Sequence, residues 1–327
     1  MDTPKLLSKP SRPPLPSKML IESLIANKKQ IYPHPAPIRS HSIRTLRTSL
    51  PKNERSSSSE SRKFILNTCY PIISASSWCA VEGNSGRVLY GFKDLEIKEI
   101  ASLTKIMTCL LCLKFIDDGL ATFEDTVKVS AKAQNVPGTS AELKENDQLS
   151  VLDLLYGLML PSGNDAAWAL AEHFGKLITL TTNKPVKIFV SEMNRLSRFL
   201  NLSMTYFANP HGLTYKKNVS CARDICKLSS TAMKNHYFKK IVNTKTHNAE
   251  ILNSGQSRKL TWDNTNKLLT KGFEGIKTGI TDTAGPCLAA AFRGYMFIVI
   301  TLLNSRSMEA RWEEAQTIST WIMNSCT

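Results

Sequence analysis

The sequence predicts an α/β fold in which an antiparallel sheet is flanked by helices and carries an inserted helical subdomain. Strand patterns lie near both ends of the globular part, which begins near residue 74, and a block of helical patterns lies between them. Strands gathered from the two ends of a chain and packed against helices form such a sandwich.

The elements follow one another in a clear order. SWCAVEG and GRVLYGF flank the turn NSG and predict a hairpin. An apolar helix at 103–117 ends at the sequence DDG, and the next helical patterns are VLDLLYGLML, DAAWALAEHFG, KIFVSEMNRLSRFLN and CARDICKLSSTAMKN. Past Trp262 the patterns EGIKTGI, GPCLAAAFRG and YMFIVITLLN predict three consecutive strands, and EARWEEAQTISTWIMNSC predicts a closing amphipathic helix. We place the helical insertion at roughly 103–240.

The composition divides the chain into two parts. The 327 residues are 42% hydrophobic, which is enough for a domain with a substantial core. Residues 1–62 carry 12 Lys and Arg against 4 Asp and Glu, together with nine prolines and twelve serines. Such a segment cannot bury enough apolar surface to offset its ordering entropy. We therefore predict a disordered basic tail at 1–62 and a folded domain at 63–327.

The basic tail fits a nucleic acid, an acidic membrane surface or no partner at all. We favour a solvated or cleavable extension and expect no nucleic acid partner. No apolar run precedes a small-residue cleavage site, so no secretory signal is readable, although the Arg and Ser content leaves an organelle transit peptide open. No stretch reaches the roughly 18 apolar residues of a transmembrane helix. The compartment stays undetermined.

The eight cysteines do not predict a disulfide scaffold in a chain of this length. Cys109 and Cys112 form a Cys-x-x-Cys pair, but they lie inside the apolar helix with no second pair near them. We interpret them as core thiols and not as a metal or redox site.

One lysine contradicts the apolar character of the helix at 103–117. Lys105 lies one turn after Ser102, so the two side chains share a helix face near its N-terminus. A lysine in apolar surroundings loses hydration and its pKa falls, and a neutral amine beside a hydroxyl is a general base beside a nucleophile. A snorkelling lysine and a capping serine would explain this segment equally well. A second Ser-x-x-Lys, at Ser49, contains Pro51 and lies in the tail, where it is chemically idle.

Two further motifs decide between these interpretations. PSGND places Ser162 and Asn164 in a tight loop between helices, and GIKTGI places Lys277, Thr278 and Gly279 at the end of a predicted strand. Ser-x-x-Lys, Ser-x-Asn and Lys-Thr-Gly in this order are the signature of penicillin-binding proteins and serine β-lactamases. With the flanking ASLTKIMT, LLYGLMLPSGNDAAWALAEH, FANPHGL, NTNKLL and FEGIKTGITDTAG, residues 74–325 resemble the D-alanyl-D-alanine carboxypeptidase family of low-molecular-mass penicillin-binding proteins.

The resemblance implies a β-lactamase/transpeptidase-like fold and a serine-type D-Ala-D-Ala carboxypeptidase. Ser102 would attack the carbonyl of the penultimate D-Ala and form an acyl-enzyme, and Lys105 would take the proton of Ser102. Ser162 would relay a proton towards the leaving D-alanine. Asn164 would orient the amine and the substrate amide. The catalytic domain would then be residues 63–327.

The third motif would bind the substrate. Lys277 would keep the catalytic amine neutral by charge repulsion and, with Thr278, would hold the anionic substrate terminus. Gly279 would let the strand backbone approach the substrate closely. The backbone N–H groups of Ser102 and Ile280 would form the oxyanion hole.

The resemblance implies no metal, nucleotide or other cofactor. The expected partners are a peptide ending in D-Ala-D-Ala and β-lactams as covalent inhibitors, and we expect a monomer. Some family members have an Arg where this chain has Thr265, so the affinity for the substrate carboxylate stays open. His211, in the sequence NPHGL, is interpreted as a turn and core residue.

Two alternatives stay open. A β-lactamase-like hydrolase of the common class needs a Glu in an ExxLN loop, and SRFLN has Ser197 in that place. A non-catalytic penicillin- or peptide-binding protein of the same fold would be expected to have lost at least one motif residue, whereas all of them are present.

Overall fold

A computed structural model of the chain describes residues 71–179, 181, 183–213 and 218–325. The predicted tail at 1–62 and the boundary at residue 63 lie outside the described residues. The described elements, in chain order, are β1 (Ser77–Glu82), β2 (Val88–Phe92), β3 (Lys98–Glu99), α1 (Thr104–Asp117), β4 (Thr126–Lys128), α2 (Ala131–Gln134), β5 (Gln148–Ser150), α3 (Val151–Met159), α4 (Asn164–Ile178), α5 (Pro185–Phe199), β6 (Val219–Ser220), α6 (Ala222–Ala232), α7 (His236–Asn243), β7 (Thr246–Asn253), β8 (Gln256–Asp263), β9 (Phe273–Gly279), β10 (Cys287–Arg293), β11 (Phe297–Leu303) and α8 (Ala310–Ser325).

The main sheet has five antiparallel strands in the order β2-β1-β11-β10-β9. Two strands come from the N-terminal side and three from the C-terminal side, which confirms the predicted sandwich and its three consecutive late strands. Alternate residues of β1 point to opposite faces, as strand geometry requires. Trp78 belongs to the core cluster that contains α8, and Cys79 belongs to the cluster that contains α6.

The block of helices surrounds α1, which is buried along almost its whole length. A helix that is apolar all round is stable only when other elements cover every side. Here α1 is covered by α3, α4, α5, α6 and α7. The predicted helix at 103–117 is confirmed, except that residues Ala101–Leu103 form a 3₁₀ turn and the α-helix begins at Thr104.

A second sheet of four strands, in the order β4-β5-β7-β8, was not predicted. Its largest part is the β7–β8 hairpin, in which most outward-facing residues are polar and only a few side chains are buried. Antiparallel strands with one solvated face lack the continuous apolar runs that mark the central strands. The range 103–240, predicted as a helical insertion, also contains the short strands β4, β5 and β6.

The six described cysteines are all buried and carry free thiols. Burial raises the pKa of the Cys109 and Cys112 thiols, as expected of core residues. Within the described part of the chain, no helix combines the length and the hydropathy needed to cross a bilayer.

Candidate active site

A cleft of about 630 Å³ lies where the end of β9 meets the helical block. Six of the predicted site residues line it: Ser102, Ser162, Asn164, Thr278, Gly279 and Ile280. The two remaining residues, Lys105 and Lys277, are at most 1% exposed and contact residues of this lining. The structure therefore brings together all of the side chains that the three motifs singled out.

Ser102 lies in the 3₁₀ turn that leads into α1, and not in the α-helix itself. The turn still keeps Ser102 and Lys105 within contact distance. It contains a strained residue, because Ala101 has φ +47°, a left-handed conformation that is costly for a non-glycine residue. The carbonyl of Ala101 accepts a hydrogen bond of 2.8 Å from Thr104 Oγ1. A Cβ on Gly212 would lie 2.0 Å from that same carbonyl, so only glycine fits beside the turn.

The Lys105 side chain is completely buried and its Nζ reaches three oxygen atoms. These are Ser102 Oγ at 3.0 Å, Asn164 Oδ1 at 2.6 Å and the backbone carbonyl of His211 at 2.9 Å. Burial holds the pKa of Lys105 well below its usual range, and the charge of Lys277 lowers it further while Asp165 raises it. A neutral amine has a lone pair for the Ser102 proton and two N–H groups for the other two acceptors.

Ser162 lies in the turn before α4, and Asn164 is the first residue of that helix. Ser162 has φ +67°, and its buried Oγ has no hydrogen-bond partner among the described residues. Asn164 donates from Nδ2 to the carbonyl of Pro137 at 2.6 Å, which fixes its Oδ1 towards Lys105. Thr139 Oγ1 donates to the carbonyl of Ser162 at 2.6 Å. The backbone of Ser162 is thus held in place at the wall of the cleft, with its hydroxyl free of other hydrogen bonds among the described residues.

Lys277 lies on β9, the edge strand of the main sheet, and donates to the carbonyl of Thr278 at 3.1 Å. Burial, followed by the charge of Arg311, lowers the pKa of Lys277 to about 7. The sequence interpretation treated this residue as a constant cation, whereas the structure makes its charge depend on pH near neutrality. Thr278 Oγ1 lies 3.0 Å from Thr265 Oγ1.

The end of β9 packs against the turn that contains Ser102. A Cβ on Gly279 would lie 3.1 Å from the backbone nitrogen of Ser102, so the two backbones approach closely here. Ile280 follows at the mouth of the cleft with 48% of its surface exposed. The participation of the Ser102 and Ile280 N–H groups in an oxyanion hole stays a prediction.

Sequence reasoning missed Arg311, whose side chain lines the cleft from α8. Its Nη1 donates to the carbonyls of Gly279 and Cys287, both at 3.2 Å, and burial lowers its pKa to about 10. A signal was present, because Arg311 occupies the same helical stripe as the buried Ala315, Ile318 and Ile322. An arginine on an apolar stripe indicates a buried charge with a specific partner.

His211 and Ser197, to which the sequence analysis gave no catalytic role, differ in their relation to the cleft: His211 contributes through its backbone, and Ser197 lies outside the lining. The His211 side chain is buried, and desolvation, followed by the charge of Lys105, lowers its pKa to about 3. Its carbonyl nevertheless binds Lys105, a contact that a side-chain pattern does not predict. Ser197 is buried in α5 and does not line the cleft.

An antiparallel sheet that carries a helical insertion, with a serine, a buried lysine and a second buried lysine at their junction, defines a penicillin-binding protein or serine β-lactamase fold. Solved structures agree. The DD-transpeptidase of Streptomyces K15 superposes with a TM-score of 0.73 at 34% identity, over 77% of this chain and 98% of that one. The predicted fold class is confirmed.

Sequence comparisons give the family. A model of peptidase family S11, described as D-alanyl-D-alanine carboxypeptidase, matches residues 66–307. A D-alanyl-D-alanine carboxypeptidase of Streptomyces sp. strain K15 is 36% identical over 256 residues, which is 76% of this chain and 87% of that protein. The carboxypeptidase DacF of Bacillus subtilis is 31% identical, and this chain covers 72% of its own length and 59% of DacF in that match. The chain belongs to the D-alanyl-D-alanine carboxypeptidase family of serine peptidases, as the motifs predicted.

The buried cation at Lys277 is expected to destabilise the folded domain. Lys277→Met should raise the free energy of unfolding by about 1 to 3 kcal/mol, because it removes the desolvation penalty of an ammonium group. The pKa of Lys277 falls from 10.5 to about 7 on folding, so the unfolded chain binds more protons between these values and wild-type stability rises with pH there. The increase in the free energy of unfolding caused by Lys277→Met should therefore be largest at or below pH 7 and should shrink towards pH 10.5.

Urea unfolding at several pH values measures this difference. Lys240→Met, at an exposed lysine of α7, is the matched control and should change the stability little at any pH. A Lys277→Met protein that is less stable than wild type at pH 7 would contradict the assignment of a buried, destabilising cation.

Proposed function

We propose that the chain is a serine-type D-Ala-D-Ala carboxypeptidase that removes the terminal D-alanine of peptidoglycan-type peptides through an acyl-enzyme on Ser102. One observation carries the proposal: Ser102 Oγ lies 3.0 Å from the amine of Lys105, whose pKa burial and the neighbouring Lys277 hold well below its usual range. A nucleophile and its base within hydrogen-bond reach, at the wall of an open cleft, are what acyl transfer requires.

In the acylation step, Ser102 Oγ attacks the carbonyl carbon of the penultimate D-Ala while its proton passes to Lys105 Nζ. The negative charge that develops on the carbonyl oxygen is met by the N–H groups of Ser102 and Ile280. The peptide C–N bond then breaks, and the leaving nitrogen takes a proton through the Ser162 hydroxyl. D-Alanine departs and the shortened peptide stays esterified to Ser102.

A water molecule completes the cycle. It attacks the ester carbonyl and gives up a proton to the same base, the C–O bond to Ser102 breaks, and the Ser102 hydroxyl is restored. Asn164 Oδ1, at 2.6 Å from Lys105 Nζ, keeps the amine oriented towards Ser102 in both steps. The products are D-alanine and a peptide shortened by one residue.

The anionic end of the substrate is attracted by cations on one side of the cleft. Arg311 and Lys267 line it, and Lys277 donates from Nζ to the carbonyl of Thr278, which also lines the cleft. This arrangement supports a substrate with a free terminal carboxylate, even though Thr265 holds the place of an arginine found in some relatives. β-Lactams carry a comparable carboxylate and an acyl carbonyl, so they are the expected covalent inhibitors.

We further propose that residues 63–327 form the catalytic domain and that the tail at 1–62 takes no part in the chemistry. The proposed reaction uses side chains and backbone groups of the protein and needs no cofactor. A monomer suffices for the reaction, because every proposed catalytic and binding group comes from one chain.

Covalent labelling tests the proposed nucleophile. Full-length protein incubated with a fluorescent penicillin should become labelled at Ser102, and Ser102→Ala should abolish both labelling and the release of D-alanine from a peptide ending in D-Ala-D-Ala. The matched control is Ser49→Ala, which changes the serine of the second Ser-x-x-Lys sequence and should leave both activities intact. A folded wild-type protein that neither labels nor releases D-alanine would refute the proposed function.

The pKa of Lys277 predicts a pH dependence. Above about pH 7 this residue loses its proton in the free enzyme, so the attraction for the substrate carboxylate weakens and kcat/KM should decline. Lys277→Arg should lower kcat/KM but flatten this decline, since a guanidinium stays charged. A decline that is equally steep in the arginine variant would exclude Lys277 as its cause.

Removal of residues 1–62 tests the proposed division of the chain. The shortened protein should retain the acylation rate of the full-length protein. The contrary outcome is that the full-length protein binds duplex DNA, with an affinity that falls steeply with salt, and the shortened protein does not. This result would assign nucleic acid binding to the tail.

A further inference from the structure

Asp165 is a buried carboxylate that the proposed mechanism does not use. It lies in the first turn of α4, is 1% exposed and forms no ion pair with any residue that the structure describes. Its Oδ2 accepts hydrogen bonds from Ser140 Oγ at 2.6 Å and from the N–H of Leu143 at 3.1 Å. The N–H of Ala141 donates to both oxygens, and the N–H of Ala166 donates to Oδ1. Every partner is a donor, which suits an ionised carboxylate.

These bonds fix a short segment, residues 137–143, against the second motif. Besides the Pro137 carbonyl that binds Asn164 Nδ2, the Thr139 carbonyl accepts from the backbone N–H of Asn164 at 2.8 Å. Thr139 Oγ1 also holds the carbonyl of Ser162, whose backbone is strained. The packing is tight, since a Cβ on Gly163 would lie 2.7 Å from the Cβ of Ala141. Loss of the Asp165 contacts would therefore loosen both Ser162 and Asn164.

The same carboxylate contributes to the electrostatics of the base. The charges of Lys277 on β9 and Asp165 on α4 act on Lys105, whose amine also donates to the carbonyl of His211, a residue with a buried neutral ring. The Lys277 charge lowers the pKa of Lys105 and the Asp165 charge raises it. Arg311 acts on Lys277 and so belongs to the same group of charges. Asp165 is the acidic member of this group, so its charge opposes those of two cations.

We infer that Asp165 is a positioning residue of this active site, which holds segment 137–143 against Ser162 and Asn164 and at the same time balances the charges around Lys105. The inference rests on the proposed function, because it assumes that neutral Lys105 activates Ser102. It assigns two effects to one side chain, and the two can be separated by the choice of substitution.

Acylation kinetics with a fluorescent penicillin across pH test the inference. Asp165→Asn removes the charge and places an NH₂ donor against backbone N–H groups. The plateau acylation rate should fall about 10- to 100-fold, the scale expected for a small misplacement of catalytic groups. The acidic limb of the plot of acylation rate against pH is the range in which Lys105 gains its proton. This limb should move to lower pH by about one unit, because the pKa of Lys105 falls further.

Asp165→Glu keeps the charge but displaces the carboxylate by one methylene group. It should reduce the plateau rate and leave the acidic limb in place. This variant also keeps the inference falsifiable if Asp165→Asn does not fold, because a wild-type plateau rate in Asp165→Glu would overturn the positioning role.

Asp224→Asn is the matched control. Asp224 is likewise buried in the first turn of a helix, α6, and accepts hydrogen bonds from the N–H of Met204 and from Thr205 Oγ1, both at 2.8 Å. Unlike Asp165, it is not among the charges that act on Lys105, and neither of these partners lines the cleft. The Asp224→Asn protein should be less stable than wild type, but the acidic limb of its acylation rate should stay at the wild-type pH. An equal shift in the Asp224 and Asp165 variants, or none in Asp165→Asn, would overturn the inference. Failure of the wild-type protein to be acylated would instead refute the proposed function before any variant is compared.

Discussion

Burial of the Lys105 amine is the constraint on which the rest of the active site depends. A nitrogen completely removed from water has to find acceptors for its N–H groups and is favoured in its neutral form. Its hydrogen-bond partners come from three separate parts of the chain: the hydroxyl of Ser102, which donates to the neutral amine, and the Asn164 side chain and the His211 carbonyl, which accept from it. The first motif, the second motif and the sequence NPHGL are thus tied to a single atom, and a shift in any of them would leave a buried polar group unpaired.

Backbone strain in the site is held by the same buried polar network. Ala101 and Ser162 both adopt left-handed conformations, which cost of order 1 to 3 kcal/mol each in non-glycine residues. Thr104 binds the carbonyl of Ala101 and in turn accepts a hydrogen bond of 2.7 Å from Asn218 Nδ2, while Thr139 binds the carbonyl of Ser162. The strained backbone at Ala101 and Ser162 is therefore held by hydrogen bonds from Thr104, on α1, and from Thr139, in a loop.

Local patterns were sufficient for the elements with continuous apolar runs and for the three motifs, because each motif carries its own order and spacing. They were insufficient for the His211 carbonyl, since a backbone oxygen has no sequence identity. They also missed the role of Asp165, whose hydroxyl partner Ser140 lies 25 residues earlier in the chain. The β7–β8 hairpin was not predicted, because few of its side chains are buried and its alternation of apolar and polar residues is weak. For His211 and Asp165 the missing information is a contact between residues far apart in the sequence, and not a local preference.

The role of Arg311 shows why the catalytic residues cannot be separated from the rest of the fold. Its guanidinium group reaches from α8 to the carbonyl of Gly279, so the last described helix supports the strand that closes on Ser102. The site consequently draws on segments from residue 102 to residue 311, and β1, which precedes this span, pairs with β11 near its C-terminal end. Two buried lysines oppose folding, and an extensive core that includes nearly all of α1 offsets them. The proposed acylation is then a property of the whole span, because no shorter fragment contains Ser102, Lys277 and Arg311 together.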